Sequence, residues 1–292
     1  MNISPTAAWA LVRQVASSWI DDYVASMGAA LAYYTVFSLA PLLLIVVSVA
    51  GLAFGDEAAR GAIRSQLADL MGEPGASAVQ ALLVSVRQPA QGLAAATLGG
   101  VLLFVGATTV FGELQDALDR IWRVPSRVRS SGWIALVRAR LLSFGMILAL
   151  GFLLIVSLLA SATLAALGRR LDPVFGGWRG LAEAANAVVG FGLVALIFAL
   201  IYKLMPRVRV LWADVWIGAL FTALLFTLGK FLIGLYIGQS GIASGFGAAG
   251  SLVVVLLWVY YSAQILLIGA EFTWVFANTF GSRRGDAGVA AG

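Results

Sequence analysis

The chain has 292 residues, of which 61% are hydrophobic and 11% charged, against roughly 25% charged in a soluble globular chain. It contains no cysteine and no histidine, which excludes disulfides, thiolate metal sites and the usual general base at neutral pH. Its net charge is +5 and its mean hydropathy +0.96, with apolar residues in long runs, so the basic excess is read against a membrane rather than a nucleic acid.

A helix crosses the roughly 30 Å hydrocarbon core with about 20 largely apolar residues. Six stretches meet that length: 29–54, 92–112, 140–167, 184–202, 212–237 and 250–277. Backbone amides in lipid must be satisfied within their own segment, which favours helices. A barrel would show alternating segments of about ten residues, and none occurs. The predicted fold is an all-α integral membrane protein with about six transmembrane helices and additional interfacial amphipathic helices. It divides into a cytoplasmic interfacial helix over 1–27, a transmembrane domain over 28–280, and a flexible cytoplasmic tail over 281–292.

In residues 5–24, Trp9, Val12, Ala16, Trp19, Ile20 and Tyr23 recur at helical spacing after Ser4-Pro5, a plausible helix start. The segment either lies on the inner leaflet or caps the bundle. With Arg13, Asp21 and Asp22 inside it, it does not read as a cleavable signal. The first span contains Tyr33, Tyr34, Ser38 and Pro41. Pro41 lacks an amide hydrogen and crowds the preceding turn, so a kink is expected there, serving as a hinge, a cavity wall or only packing.

Residues 55–91 form the longest external loop. Ile63, Leu67 and Leu70 mark one amphipathic helix, and Leu82, Leu83 and Val86 a second after Glu73-Pro74-Gly75. They are expected to rest on the outer face of the bilayer or to cover the bundle. The second loop opens with a helix over 112–124, in which Leu114, Leu118, Ile121 and Trp122 share a face. Arg127, Arg129, Arg138 and Arg140 follow and, with Arg207 and Arg209 of the fourth loop, are candidates for anionic lipid headgroups.

Span 5 carries Lys230 and span 6 Glu271, and intramembrane charges are costly and often functional. Lys230 lies about 27 Å outward along its helix, and Glu271 about 31 Å inward along its own, at 1.5 Å per residue. Straight helices put them near opposite surfaces. Lys230 is therefore expected to snorkel outward, and Glu271 to pair with Arg207, Arg209 or an arginine of the second loop. The connection 238–250 is uncharged and glycine-rich. It is either a re-entrant segment or a plain loop.

For six spans, both ends share one side with the second and fourth loops. That side carries twelve Lys/Arg, the other six, and Lys230 lies inside a span. The positive-inside rule then places both termini in the cytoplasm.

Three segments carry a family resemblance: Gly28 to Leu44, Leu114 to Val124, and Tyr202 to Ala277. Together they resemble the YihY/BrkB family of bacterial inner-membrane proteins, formerly called ribonuclease BN. Within the matching segments stand Tyr33, Tyr34, Ser38, Pro41, Pro206, Lys230, Tyr236, Trp258, Tyr260, Gly269 and Glu271. These, Gly269 aside, are candidates for a substrate path or a structural role, and the resemblance supplies no catalytic residue. It implies a multi-pass protein of the bacterial inner membrane concerned with envelope homeostasis.

Transport or flipping of a phospholipid or other amphiphile is the first functional expectation. A non-transporting anchor, meeting an envelope protein through 55–91, is the second. An enzyme relying on Glu271, Asp116 and Asp119 is the third and weakest, since no metal-holding cluster or P-loop is present. No cofactor, metal or nucleic acid is expected.

Overall fold

The computed structural model describes residues 5–86, 109–125, 163, 178–240, 245–246 and 249–284. Among these, every regular element is a helix: α1 (Pro5–Asp21), α2 (Val24–Phe54), α3 (Asp56–Val86), α4 (residues 109–121), α5 (Trp178–Leu204), α6 (Trp212–Gln239) and α7 (Gly250–Thr279). Among the described residues, three segments are long and apolar enough to cross a membrane: Ala184–Leu204 within α5, α6 and α7. They coincide with the fourth, fifth and sixth expected spans. The 31-residue α2 covers the first. Most of the second span, and all of the third but residue 163, lie outside the described residues. So do Arg127, Arg129, Arg138 and Arg140.

α7 is the hub, packing against α1, α2, α3 and α6, while α5 packs on α6. In lipid, helix association relies on close contact and interhelical hydrogen bonds rather than on the hydrophobic effect. Both operate at the α5–α6–α7 junction. The Tyr202 hydroxyl donates to the Leu266 carbonyl at 2.7 Å and lies 3.0 Å from Thr222 Oγ1. Gly269 sits against these same side chains, so that a Cβ there would collide with Thr222 and Tyr202. Gly218 meets Thr273, and Gly229 meets Tyr261 and Ile265. These pairings fix α6 and α7 as antiparallel.

The α6–α7 register separates the two intramembrane charges. Lys230 is level with the Tyr261 region, whereas Glu271 is level with Thr222. That is ten residues along α7, or about 15 Å. The sequence argument against a Lys230–Glu271 bridge therefore stands in the structure.

α3 corrects one boundary. Its helical run breaks at Gly72 (φ 74°, ψ 167°), a left-handed geometry that only glycine adopts without strain. The second half thus begins at Glu73 and includes Pro74, which suits a helix's first turn because it has no amide to offer. The break does not wait for Gly75. α3 then closes one end of the bundle: Met71, Ala78 and Val79 pack with Val36 of α2, Ile237 of α6, and Val254 and Val255 of α7. Residues 87–91 lie outside the described residues.

The helix runs through Pro41, whose side chain is outside the described set. So are residues 241–244 and 247–248 of the glycine-rich connection.

Candidate functional site

The opposite end of the bundle gathers four distant segments: the α1–α2 turn, α4 and its exit, the α5–α6 loop, and the residues after α7. These are the four segments expected to share one face. Four buried carboxylates lie among them or beside them, Asp22 at the α1–α2 turn, Asp119 on α4, Asp214 in the first turn of α6 and Glu271 within α7, all 0–3% exposed.

Asp119 follows from the pattern of α4. Leu114, Leu118, Ile121 and Trp122 face inward, all at most 8% exposed, and Gln115 and Asp119 ride on the edge of that face four residues apart. Asp119 Oδ1 accepts the Arg207 backbone N–H at 2.8 Å, and Oδ2 accepts the Arg207 guanidinium at 2.7 Å. Arg207 also donates to Gln115 at 3.1 Å and lies 3.3 Å from Asp116. Gln115 in turn donates to the Met205 carbonyl at 2.9 Å. The turn after α5, including the buried Pro206, is thereby bolted to α4.

Asp214, in the first turn of α6, accepts the Ser282 hydroxyl at 2.5 Å and the Ser282 amide at 3.3 Å. Gly281 lies so close to Asp214 that no Cβ fits. Arg283 donates to the Arg209 carbonyl at 3.1 Å and stacks over Trp122 at 5.3 Å. Residues 281–284 are thus bonded into the bundle; residues 285–292 lie outside the described set.

Asp22 follows the last residue of α1, just before Tyr23, which takes φ +56°. Arg123, at φ +53°, reaches across from the exit of α4 and donates to Asp22 Oδ1 at 2.8 Å. Its guanidinium also covers the Trp274 ring at 5.3 Å. Arg120 lies 4.0 Å from Asp22 and covers the Tyr23 ring at 5.5 Å.

Glu271 completes the set. It is fully buried, and its charged neighbours are Asp22, within hydrogen-bonding reach, then Arg123 and Asp21. Neither of its oxygens, nor Asp22 Oδ2, meets a hydrogen-bond donor. Buried polar atoms are nearly always satisfied, so three orphaned carboxylate oxygens on two facing acids mark this place as unusual. The expected ion pair of Glu271 with Arg207 or Arg209 does not form. Arg207 is committed to Asp119 and Asp116, and Arg209 offers its carbonyl to Arg283. Of the described second-loop arginines, Arg123 acts on Glu271, but its direct partner is Asp22.

The remaining candidate residues do not converge on one site. Tyr33 is 56% exposed and packs edge-on against Tyr34 at 5.5 Å. Ser38 is buried and donates to the Thr35 carbonyl at 3.1 Å. Tyr236 is exposed and Lys230 half-buried. Trp258 packs against Phe226 at 6.1 Å, and its indole N–H has no partner. Tyr260 lies beside Gly28. Residues missed from the sequence are Asp22, Gln115, Asp214 and Gln264. The available signal was a polar residue placed in phase with the apolar face of its helix. No group of three or more acids positioned to hold a metal occurs among the described residues.

α1 has three faces. Leu11 and Val15 pack on Val275, Phe276 and neighbouring aromatics of α7, and Trp19 donates to Gln264 at 3.3 Å. An adjacent stripe of Trp9, Val12, Ile20 and Tyr23 is 55–71% exposed. A third face carries Thr6, Arg13, Gln14 and Ser17. The helix caps the bundle and also carries an exposed apolar stripe.

Long apolar helices packed into a bundle, with charge gathered at its end, define a multi-pass α-helical membrane protein. The family model described as virulence factor BrkB matches residues 15–291, and the chain belongs to that family. A UPF0761 membrane protein of Pseudomonas paraeruginosa is 29% identical over 262 residues, covering 88% of this chain and 60% of the relative. One from Pseudoalteromonas translucida is 27% identical over 259 residues, covering 87% and 81%. A third, from Verminephrobacter eiseniae, is 30% identical over 259 residues, covering 86% and 58%. The chain thus spans about 60% of the length of the Pseudomonas relative. No solved structure matches. The family description and these relatives' names record a virulence factor and membrane proteins, not an enzyme.

Proposed function

We propose that this chain serves the bacterial envelope by moving a phospholipid or similar amphiphile within the cytoplasmic membrane, without covalent chemistry. The observation that carries this reading is the division of α1. One face is fastened to the last span, one is an exposed apolar stripe, and one is polar with the cationic Arg13. Such a helix suits the boundary between acyl chains and headgroups, with Trp9 and Tyr23 as interfacial aromatics. Asp22, the first residue after it, meets Glu271 of the last span, so the proposed lipid contact and an intramembrane acid are mechanically joined. Buried acids in spans are typical of substrate and ion pathways.

The test is reconstitution of the full chain in vesicles of phosphatidylethanolamine and phosphatidylglycerol bearing a headgroup-labelled lipid. Transfer between leaflets should be faster than in protein-free vesicles, and slower with Ile20→Glu than with the native chain. Folded native protein that leaves transfer at the protein-free rate sinks the reading. Specific crosslinking of α3 to an envelope protein, with no lipid transfer, would favour the anchor instead.

A further inference from the structure

We propose that Asp22 and Glu271 form a binding site for one monovalent cation, a proton or Na⁺, lodged between the α1–α2 turn and the last span. Its role as the coupling ion rests on the transport reading above; the site itself does not.

The argument is one of charge and unsatisfied oxygens. Glu271 is fully buried and Asp22 is 3% exposed. Asp22 Oδ1 is held by Arg123 at 2.8 Å. Asp22 Oδ2 and both oxygens of Glu271 meet no donor, although the two carboxyls lie within hydrogen-bonding reach of each other. Two ionised carboxylates are both acceptors and cannot bond to each other. The charged groups facing Glu271 are Asp22 and Asp21 from the α1–α2 turn and Arg123 from the exit of α4. The α5 and α6 helices meet this stretch of α7 through Tyr202, Thr222 and Gly218, which bring no charge. Arg123 at 2.8 Å and Arg120 at 4.0 Å both lie on Asp22, and among the described residues Glu271 forms no ion pair, so its buried negative charge has no contact partner. Burying such a charge is strongly unfavourable. One proton or one Na⁺ neutralises it and satisfies the orphaned oxygens together. A divalent ion would overshoot that balance.

The placement gives the ion mechanical leverage. Asp22 sits at the turn that sets the angle between α1 and α2, while Glu271 belongs to α7, the hub of the bundle. Loss of the cation leaves two facing negative charges and pushes that turn away from α7.

The experiment uses the full chain in phosphatidylethanolamine–phosphatidylglycerol vesicles. In Na⁺-free buffer near neutral pH, infrared spectra read protonated carboxyls, and ²²Na⁺ binding is measured in parallel. We expect one cation per chain. A protonated-carboxyl band unaffected by added Na⁺ assigns the proton. Stoichiometric ²²Na⁺ binding, with loss of that band or with no band at the start, assigns sodium, and Na⁺ bound while the band persists overturns the single-cation site. Glu271→Gln and Asp22→Asn each leave one acid against Arg123, so both variants should lose the cation while keeping the native unfolding midpoint within a few degrees. If one fails to fold, the other carries the test. Native protein with neither band nor bound Na⁺ overturns the site, as does a folded variant that still binds. An imposed gradient of the assigned cation should change lipid transfer several-fold in the native chain and not in Glu271→Gln. Cation bound without any lipid transfer refutes the transport reading and leaves the site standing. Lipid transfer with no cation bound does the reverse.

Discussion

Asp119 and Arg207 show how a single buried charge is made tolerable. Asp119 has no exposure at all, and both of its oxygens are filled by one residue, through backbone and guanidinium. Removing the guanidinium takes the opposing charge from Oδ2 and leaves the backbone N–H of residue 207 on Oδ1. Arg207→Ala is therefore expected to destabilise the folded protein by about 3 kcal/mol, the lower end for breaking a buried pair. Asp119→Asn added to Arg207→Ala should recover part of that loss, because the buried negative charge goes too. Unfolding midpoints in detergent decide it; equal losses in the single and double variants would mean that the pair is not what holds the α5–α6 loop to α4. Glu271 itself was visible as an acid in a span, but its partner was not: Asp22 lies at the far end of the chain, in a segment where an acid looks ordinary.

At the scale of elements, α6 and α7 depend on glycines at their crossings. Gly269 faces Thr222 and Tyr202 so closely that any side chain must displace them. Gly269→Ala is expected to cost about 1–3 kcal/mol through overpacking, and Thr222→Gly in the same chain should relieve it. The checks are the unfolding midpoint and the yield of folded protein. α1 makes a different prediction. Its exposed Trp9, at 71%, should be quenched by lipids brominated on the acyl chain. Trp9→Phe should remove that part of the quenching while α1 remains docked through Leu11 and Val15. No loss of quenching in Trp9→Phe would place the apolar stripe in water, not lipid.

At the scale of the whole molecule, one end holds the α1–α2 turn, the exit of α4, the α5–α6 loop and residues 281–284, and α3 closes the other. The native chain has no cysteine, so single introduced thiols report sidedness without background. Arg13→Cys and Arg284→Cys should be labelled only from the cytoplasm, and Gly61→Cys, on α3, only from the opposite side. Labelling of all three from one side would break the two-ended arrangement, and a full reversal would invert the expected orientation.

The amino-acid sequence by itself determined that this is a helical membrane protein, where its last three spans lie, and which loops share a face. Each of those properties is local or additive. A span needs only its own run of apolar residues, and the loop pattern needs only a count of charges and crossings. It also kept Lys230 away from Glu271, because helix rise alone sets their depths. Tertiary structure decided the partners. Asp22 meets Arg123 across 101 residues, and Asp119 meets Arg207 across 88. Many acids and arginines compete for such pairings, and only the packing of helices on α7 chooses among them. The same packing brought Asp22 to Glu271, a juxtaposition of two acids that no pairing rule based on opposite charge would have selected.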